Sequence, residues 1–212
     1  MTDDKKLYHQ DENSADIDQA VLEALIHLMA NQEFGKISIS ELCREACISR
    51  MTFYRRYASK EDVLRKSLDT MFSSYVQTVL RMPSITRYTL SIAFCKHWKA
   101  HQSLLEVLIK QDISYLLIEK FTQYLGVLFG TVLFAKERDG VSSYEVSYHA
   151  GGLCSMLIEW VRGGCTESEE TMANIIDGIA NGYRIAPTKG AVSPSNAYAG
   201  ANAGDTPVLT TT

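Results

Sequence analysis

The sequence predicts an all-α protein with a small N-terminal three-helix unit and a larger helical C-terminal body. Apolar residues recur at intervals of three and four along most of the chain, which is the period of helices buried on one face. Only four prolines occur, and three of them lie at or after residue 187, so the interior lacks the strongest helix breaker. Serine or acidic residues stand at N-cap positions before most of the apolar stretches.

The composition is that of an ordinary globular chain with enough apolar sequence for a sizeable core. The 212 residues are 46% hydrophobic, and the formal net charge is −4. The first residues are polar, and the longest apolar run, residues 125–135, is too short to cross a bilayer, so we expect a cytoplasmic protein without membrane association. The five cysteines are widely spaced and are expected to be thiols. Cys43 with Cys47, and His97 with His101, have the i,i+4 spacing of half a metal site, but no further ligand joins either pair in sequence, so we expect neither a metal nor a cofactor.

Two long helices are predicted to frame the N-terminal unit. Residues 1–13 are polar without a period and are expected to form a flexible arm. Asp16 is a candidate cap for a first helix, whose wide apolar stripe ends near Phe34, where the following glycine can terminate it. A capping box over residues 59–62 opens a helix that can run without a breaker until Pro83.

Two short helices are predicted between them. Ser38 or Ser40 is the expected N-cap of the first, and Ser38 has Glu41 three residues later, the spacing at which two side chains cap each other's backbone amides. A turn follows at residues 47–49, and Ser49 can cap the second short helix, over about residues 50–57.

Five further helices are predicted in the body. They cover residues 85–100, 103–111, 114–136, 142–163 and 168–182. The third of these is apolar nearly all round, which indicates burial on several sides. From Pro187 onward the sequence is of low complexity and rich in small residues. The chain is therefore divided into an arm (1–13), an N-terminal domain (14–66), a body (67–184) and a disordered tail (185–212).

The pair of short helices predicts a helix-turn-helix unit that binds DNA. Phe53 and Tyr57 are four residues apart and form one buried stripe on the second helix. The residues left facing outward are Arg50, Met51, Thr52 and Arg55. Arginine addresses guanine edges, hydroxyls donate to phosphate and methionine contacts thymine methyls. Residues 44–66 carry seven basic and three acidic side chains, a local charge of +4, so positive charge is concentrated where DNA would lie.

The run Ala-Cys-Ile-Ser-Arg-Met-Thr-Phe-Tyr-Arg-Arg-Tyr, followed by Ser-Lys-Glu-Asp-Val-Leu, resembles the N-terminal domain of the tetracycline-repressor (TetR) family of bacterial regulators. The resemblance covers roughly residues 16–66. It implies that Tyr54 and Lys60 contact phosphate and that residues 50–52 read bases. The expected DNA contacts are Ser38, Ser40, Ser49, Arg50, Met51, Thr52, Tyr54, Arg55 and Lys60.

One position departs from the family pattern. The family usually has glycine where this chain has Cys47. A residue with a side chain costs on the order of 1 kcal/mol in a left-handed turn. We therefore expect the turn to be slightly re-angled.

The resemblance also implies that the last two long helices of each subunit form a four-helix dimer interface. The expected dimer residues are Gly151, Gly152, Met156, Trp160, Ile175, Ile176 and Ile179. The body is expected to hold a small molecule, and aromatic or soft side chains are the candidates for its pocket. These candidates are Phe94, Trp98, Tyr115, Phe121, Tyr148 and Cys154. Both sets are also compatible with plain core packing.

These features predict a dimeric, ligand-responsive repressor that binds double-stranded DNA at a palindromic operator, with an unidentified small-molecule effector. One alternative is an activator that responds to a protein partner. Another is a structural or cell-division protein that uses DNA as a scaffold and has no effector, and a bundle that binds no nucleic acid fits the same helices. An enzyme is not expected, because the sequence has no Gly-rich phosphate loop, Gly-x-Ser-x-Gly motif or paired acid motif.

Overall fold

The computed structural model of the chain describes residues 4–128 and 142–180, and side chains from residue 14 onward. Within those ranges the secondary structure is entirely helical, as the sequence predicts. The helices are α1 (Asp4–Asn31), α2 (Ile39–Glu45), α3 (Arg50–Arg56), α4 (Lys60–Leu80), α5 (Arg87–Ala100), α6 (Gln102–Lys110), α7 (Tyr115–Leu128), α8 (Ser143–Arg162) and α9 (Glu169–Ala180), with a short 3-10 turn at Phe34–Lys36. No helix in the described ranges is long and apolar enough to cross a membrane.

The first helix begins earlier than the sequence analysis expects. It starts at Asp4 instead of near Asp16, so the expectation of a flexible arm is wrong for residues 4–13. No proline or glycine interrupts the chain between Asp4 and Asn31, and the helix therefore continues through the polar segment. Residues 1–3 lie outside the described ranges.

The cap of α2 agrees with the sequence only in part. Ser38 Oγ accepts a hydrogen bond from the Glu41 amide at 3.2 Å. The Glu41 carboxylate does not return to Ser38 but accepts from Gln32 Nε2 at 2.9 Å. The reciprocal half of the expected capping box is thus replaced by a link to the chain segment after α1.

The turn between α2 and α3 has the geometry that the sequence implies at Cys47. Cys47 has φ of 55°, in the left-handed region. The Ile48 amide donates to the Cys43 carbonyl at 2.9 Å, and the Cys47 amide donates to the Arg44 carbonyl at 3.2 Å. This pair of bonds is a Schellman motif, the usual way for a helix to end at a left-handed residue. The turn therefore ends α2 with a left-handed residue that is not glycine, and the slight re-angling expected from Cys47 stays a prediction.

Helix α4 joins the N-terminal helices to the body. It packs against α1, α5 and α7. Val63 and Leu64 at its start, and Leu68, Met71 and Phe72 further along, belong to one continuous apolar core. The expected boundary between residues 66 and 67 lies inside this helix. The described residues up to Asp177 belong to one compact unit, and the last three residues of α9, 178–180, fall outside it.

The body helices follow the predicted pattern with small shifts at their ends. Helix α5 begins after Thr86, whose hydroxyl accepts from the Thr89 amide at 3.1 Å. Helix α7 is described as far as Leu128. The predicted continuation of α7 to residue 136 and the predicted tail over 185–212 lie outside the described residues. Helices α6 and α7 both pack against α8.

The strained turn gives a test of backbone stability. Cys47→Gly should raise the free energy of unfolding by about 0.5–1 kcal/mol, because the Cβ cost at positive φ exceeds the extra freedom of glycine in the unfolded chain. Urea denaturation followed by circular dichroism measures this change. Cys47→Ala is the control, since it removes the thiol but keeps Cβ and should leave stability unchanged. Equal stabilisation by both variants would contradict the backbone explanation.

Candidate nucleic-acid interface

Helix α3 presents one buried face and one exposed face. Phe53 and Tyr57 are 0% and 4% exposed, and their ring centroids are 5.3 Å apart. On the opposite side Met51 is 81% exposed and Tyr54 is 52% exposed. Arg50 and Arg55 are also exposed. The burial pattern therefore orients α3 as the sequence predicts, with its basic and hydroxyl side chains outward.

Two of the expected DNA contacts are used as helix caps. Ser49 Oγ accepts from the Thr52 amide at 3.0 Å and lies 2.9 Å from Thr52 Oγ1. Ser38 Oγ caps α2 in the same way. Both serines are exposed, as is Ser40 in the first turn of α2. The caps fix where α2 and α3 begin. Thr52, whose amide donates to the Ser49 cap, is half-buried.

Three arginines near α3 have no carboxylate partner within the described ranges. Arg50 and Arg55 are predicted contacts, and Arg50 lies 5.9 Å from the centroid of the Tyr54 ring. Arg44, in the last turn of α2, is exposed as well and is absent from the expected set. The sequence could have indicated Arg44 as a DNA contact, because it lies beside the turn and belongs to the basic residues of 44–66. The uncompensated positive charge of this face comes from these three side chains.

Other basic residues in the same segment are held by internal contacts. Arg56 forms a two-pronged ion pair with Asp18 of α1, at 2.9 Å from Nε and 2.5 Å from Nη2. Tyr57 donates its hydroxyl to the same carboxylate. Lys66 pairs with Asp62 at 3.2 Å, and Arg65 pairs with Glu119. Fewer positive side chains are therefore free to contact a polyanion than the local charge of +4 suggests.

The link between Asp18 and Arg56 ties α3 to α1. Burial raises the pKa of the Asp18 carboxyl, but the hydrogen bonds from Arg56 and Tyr57 and the Arg56 charge outweigh this effect and leave the pKa below its usual value. Burial and the Asp18 contact raise the pKa of Tyr57. The carboxylate and the guanidinium are consequently both charged at neutral pH, and the exposed face of α3 is set relative to α1.

Lys60 does not face outward as the resemblance implies. Its Nζ donates to three backbone carbonyls in the segment between α1 and α2, those of Phe34 at 2.5 Å, Gly35 at 3.2 Å and Ile37 at 2.9 Å. It also lies 4.7 Å from the centroid of the Phe34 ring. An ammonium group has three hydrogens, and all three are used. In this structure Lys60 therefore makes contacts within its own chain, which a local sequence motif does not reveal, and its contact with phosphate stays a prediction.

A second set of contacts holds the same segment from the body. Gln111 Nε2 donates to the carbonyls of Met29 and Gln32 at 2.7 and 2.9 Å, and its Oε1 accepts from the Phe34 amide at 2.8 Å. Lys110 Nζ donates to the Ala30 carbonyl at 2.7 Å. We call the segment Met29–Ile37, with its ties to Lys60, Lys110 and Gln111, the α1–α2 clamp. It satisfies carbonyls that the end of α1 leaves without helical partners.

The body contains a cavity of about 100 Å³ with aromatic walls, here called the aromatic cavity. Of the expected pocket residues, Phe94, Trp98 and Phe121 line it, together with Phe72, Tyr75 and Tyr124 from α4 and α7. The other three do not. Tyr115 and Tyr148 are 53% and 74% exposed, and Cys154 is buried elsewhere in the core. Helical spacing identified the apolar stretches but not which side of each helix faces the cavity.

The expected dimer residues divide into exposed and buried sets. Gly152, Ile175 and Ile179 are exposed, and Gly151, Met156 and Ile176 are intermediate. Trp160 is 4% exposed, and its Nε1 donates to the Glu167 carbonyl at 3.2 Å. The Trp160 ring packs inside its own chain, and its role as a dimer anchor stays a prediction.

The capped helix pair, the left-handed turn and an outward basic face define a helix-turn-helix transcription regulator that binds DNA. Residues 21–66 match the family model described as "Bacterial regulatory proteins, tetR family", and residues 88–182 match "Transcriptional regulator C-terminal region". The chain belongs to the TetR family of transcriptional regulators. No curated protein matches the sequence.

Solved structures share the fold at low sequence identity. Lin0861 from Listeria innocua aligns with a TM-score of 0.68 at 16% identity, over 80% of this chain and 91% of its own. A putative TetR-family regulator from Syntrophomonas wolfei aligns with a TM-score of 0.59 at 14% identity, over 81% and 98%. The dihydroxyacetone kinase operon activator DhaS aligns with a TM-score of 0.52 at 16% identity, over 77% and 93%. These likenesses establish the fold alone.

The role of Lys60 is open to a direct test. Lys60→Met keeps the aliphatic stem on Phe34 but leaves three carbonyls without a charged donor, and we expect a loss of about 1.5–3 kcal/mol in the free energy of unfolding. Lys36→Met is the control, since Lys36 is exposed and its ion pair with Glu33 lies at the surface. If Lys60 instead contacts phosphate, its loss should leave stability unchanged and lower the salt dependence of DNA binding by about one ion.

Proposed function

We propose that the chain is a ligand-responsive repressor that binds a palindromic operator as a homodimer. The observation that carries the proposal is the outward face of α3, where Arg50, Met51 and Tyr54 are exposed above a buried Phe53. A helix of this kind lies in a major groove with the side chains of its first turn against base edges. Arg50 suits a guanine, and Met51 suits a thymine methyl group.

The remaining exposed groups suit the DNA backbone. Exposed neutral donors on or beside α2 and α3 are the Tyr54 hydroxyl, the caps Ser38 and Ser49, and Ser40. Arg44 and Arg55 add charge beside them. Contacts of this type position a protein on the duplex without reading its sequence. We assign Arg50 and Met51 to sequence recognition and the other groups to orientation.

A homodimer is supported by an exposed stripe along α8. Tyr144 is 85% exposed and Tyr148 is 74% exposed, and Gly152 continues the same face at a spacing of four residues. A Cβ placed at Gly151 or Gly152 would meet nothing within 4 Å, so both positions are open to a close approach by another helix. Two-fold symmetry would place two α3 helices in successive major grooves, about 34–36 Å apart.

A ligand in the aromatic cavity would act on DNA binding through α4. Phe72 and Tyr75 of α4 form part of the cavity wall, and Tyr124 stacks on Phe72 at 5.1 Å. Tyr124 also donates to Asp69 of α4 at 3.3 Å, and Lys120 pairs with Asp69 at 2.6 Å. A ligand that binds better to one orientation of α4 would shift the population towards that state. Repression would then be relieved when the favoured state does not fit the operator.

An activator is the second candidate. DhaS, which shares the fold, is described as an operon activator, so this fold is compatible with either sign of regulation. In the absence of effector, a repressor lowers transcription from its target promoter and an activator leaves it low until an effector or partner is present. A DNA-scaffolded protein without effector would show neither response.

The recognition role of Arg50 gives the main test. In a binding titration against a DNA site selected from a genomic library and a scrambled copy, Arg50→Ala should lose about 10- to 100-fold of the preference for the selected site. Arg55→Ala should weaken binding to both DNAs alike. Arg81→Ala, an exposed charge in the cap after α4, is the control and should change neither. Equal binding of the wild type to both DNAs would contradict the proposal.

The dimer stripe can be tested without damage to the fold. Gly152→Glu places a charge in open space on α8, so the chain should keep its melting temperature within a few degrees while sedimentation shows a monomer. Gly126→Glu on α7 is the matched control, since its Cβ would also meet nothing within 4 Å, and it should remain dimeric. A Gly152→Glu protein that stays dimeric would place the interface elsewhere.

A further inference from the structure

A groove lies between the last turns of α4 and the side of α5, and we call it the α4–α5 groove. Thr78 and Met82 of α4, and Ile92, Ala93 and Lys96 of α5, are among the described residues that line it. Its volume is about 620 Å³, which is within the range of small-molecule sites. It shares no described lining residue with the aromatic cavity. The two spaces therefore lie on different faces of α5.

The groove is on the side of α4 that faces away from α7. Helix α7 contacts α4 through Arg65, Asp69 and Ser73, which follow one another at intervals of four residues. Thr78 comes nine residues after Asp69, about two and a half turns, and therefore points to the opposite side of α4. A ligand can reach this side without any separation of α4 from α7.

The floor of the groove is apolar. Met82, Ile92 and Ala93 are half-buried and pack against the core. The Thr78 hydroxyl at the edge donates to the Ser74 carbonyl of its own helix at 2.9 Å. An occupant would therefore gain mainly by covering apolar surface along the floor.

Among the described lining residues, Lys96 alone is charged at neutral pH. Lys96 is exposed and forms no ion pair with another described residue. Glu169 of α9 interacts with Lys96 only at longer range, because its carboxylate pairs with Lys99 at 3.3 Å. His97 adds no charge, since burial and the neighbouring His101 lower its pKa to about 4. The groove thus has an apolar floor and one ammonium group available for pairing.

The chain around the groove contains no acidic residue. Residues 70–105 include the second half of α4 and all of α5, and they carry Arg81, Arg87, Lys96 and Lys99 without an aspartate or glutamate, a local charge of +4. An anion that approaches this pair of helices meets attraction from both, whereas a cation is repelled. Charge complementarity therefore favours a negatively charged occupant.

The dimensions favour a small molecule over a protein. Protein interfaces typically involve about 20–30 residues on each side, whereas nine described residues line this groove. From Thr89 to His97, α5 rises by about 12 Å, which matches an extended chain of about eight carbons with its head group. Such a chain would cover the floor at Met82 and Ile92 and bring its head group to Lys96.

We propose that the α4–α5 groove binds small organic monoanions with an apolar body, such as carboxylates of medium chain length. The carboxylate pairs with Lys96, and the apolar body packs on Met82, Ile92 and Ala93. A molecule bound here contacts α4 and α5 together and stabilises their packing. The site is separate from the aromatic cavity, so this inference does not depend on where the effector of the proposed function binds.

Three probes with one chain and different head groups test the charge preference. Octanoate is negative at neutral pH, 1-octanol is neutral and octylammonium is positive. In calorimetric titration of the full-length protein, below the concentrations at which the probes form micelles, octanoate should bind about tenfold more tightly than octylammonium, because Lys96 attracts one and repels the other. Added salt should weaken octanoate binding relative to 1-octanol, since the ammonium group is exposed. Equal affinities for octanoate and octylammonium would overturn the proposal.

Substitution of the lysine tests its role. The ratio of the dissociation constants of octanoate and 1-octanol should rise about threefold in Lys96→Gln and about tenfold in Lys96→Glu. Lys96 is exposed, so both variants should fold, which a circular dichroism melt checks. Lys36→Gln removes an exposed lysine remote in sequence and should leave the ratio unchanged. An unchanged ratio in Lys96→Glu would contradict the assignment.

A matched pair of variants on α4 tests the location. Thr78→Trp fills the groove from its exposed edge and should weaken octanoate binding by at least about tenfold. Thr70→Trp is the control, because Thr70 is exposed on the same helix and donates to the Lys66 carbonyl in the same way, but it does not line the groove. Octanoate binding that is insensitive to Thr78→Trp would place the ligand elsewhere and overturn the proposal. If Thr78→Trp fails to fold, the Lys96 variants decide the question.

The two proposals fail separately. Absence of octanoate binding would overturn the ligand class of the α4–α5 groove, whatever the protein does on DNA. The proposed function is judged by the DNA titration of the wild type and Arg50→Ala, in which none of these probes is present.

Discussion

The segment between α1 and α2 has backbone carbonyl groups whose hydrogen-bond donors come from other parts of the chain. The end of a helix leaves carbonyl groups without helical partners, and here the chain must reverse at once to place α2 and α3. Lys60 from α4 and Gln111, the cap residue after α6, supply the missing donors. The helices that would read DNA are thus positioned in part by α4, which also lines the aromatic cavity. A movement of α4 reaches the α1–α2 clamp without an intermediate element.

Helix α4 is a continuous element shared by both functions that we propose. Its first residue, Lys60, belongs to the α1–α2 clamp, and Phe72 and Tyr75, about three and four turns later, belong to the cavity wall. A helix transmits a displacement along its length because its backbone hydrogen bonds keep it stiff. The ion pair between Asp69 and Lys120 fixes α4 against α7 between these two points. Effector binding and DNA binding would therefore compete for the position of one helix.

The sequence predicted the features that are set by neighbours along the chain. The caps at Ser38 and Ser49 and the two faces of α3 follow from local spacing, and the left-handed Cys47 follows from the family resemblance. It did not predict features that depend on distant partners. We interpreted Lys60, Arg56 and Trp160 from their residue types and positions. In the structure Lys60 and Arg56 contact residues far away along the chain, and Trp160 is buried within it. Periodicity also cannot tell which side of a fully apolar helix such as α7 faces a cavity.

The α1–α2 clamp also bears on the order in which the chain becomes native. Gln111 and Lys110 bridge sequence separations of 77 to 82 residues, whereas the contacts of Lys60 span 23 to 26. During synthesis, the first three helices and the start of α4 leave the ribosome well before α6 does. Until α6 arrives, the carbonyls of Met29, Ala30 and Gln32 must be solvated by water, and the Phe34 amide lacks its acceptor. In a nascent or truncated chain that ends before α6, α2 and α3 would therefore be held less rigidly. The N-terminal helices would reach their final arrangement only after Lys110 and Gln111 have been synthesised.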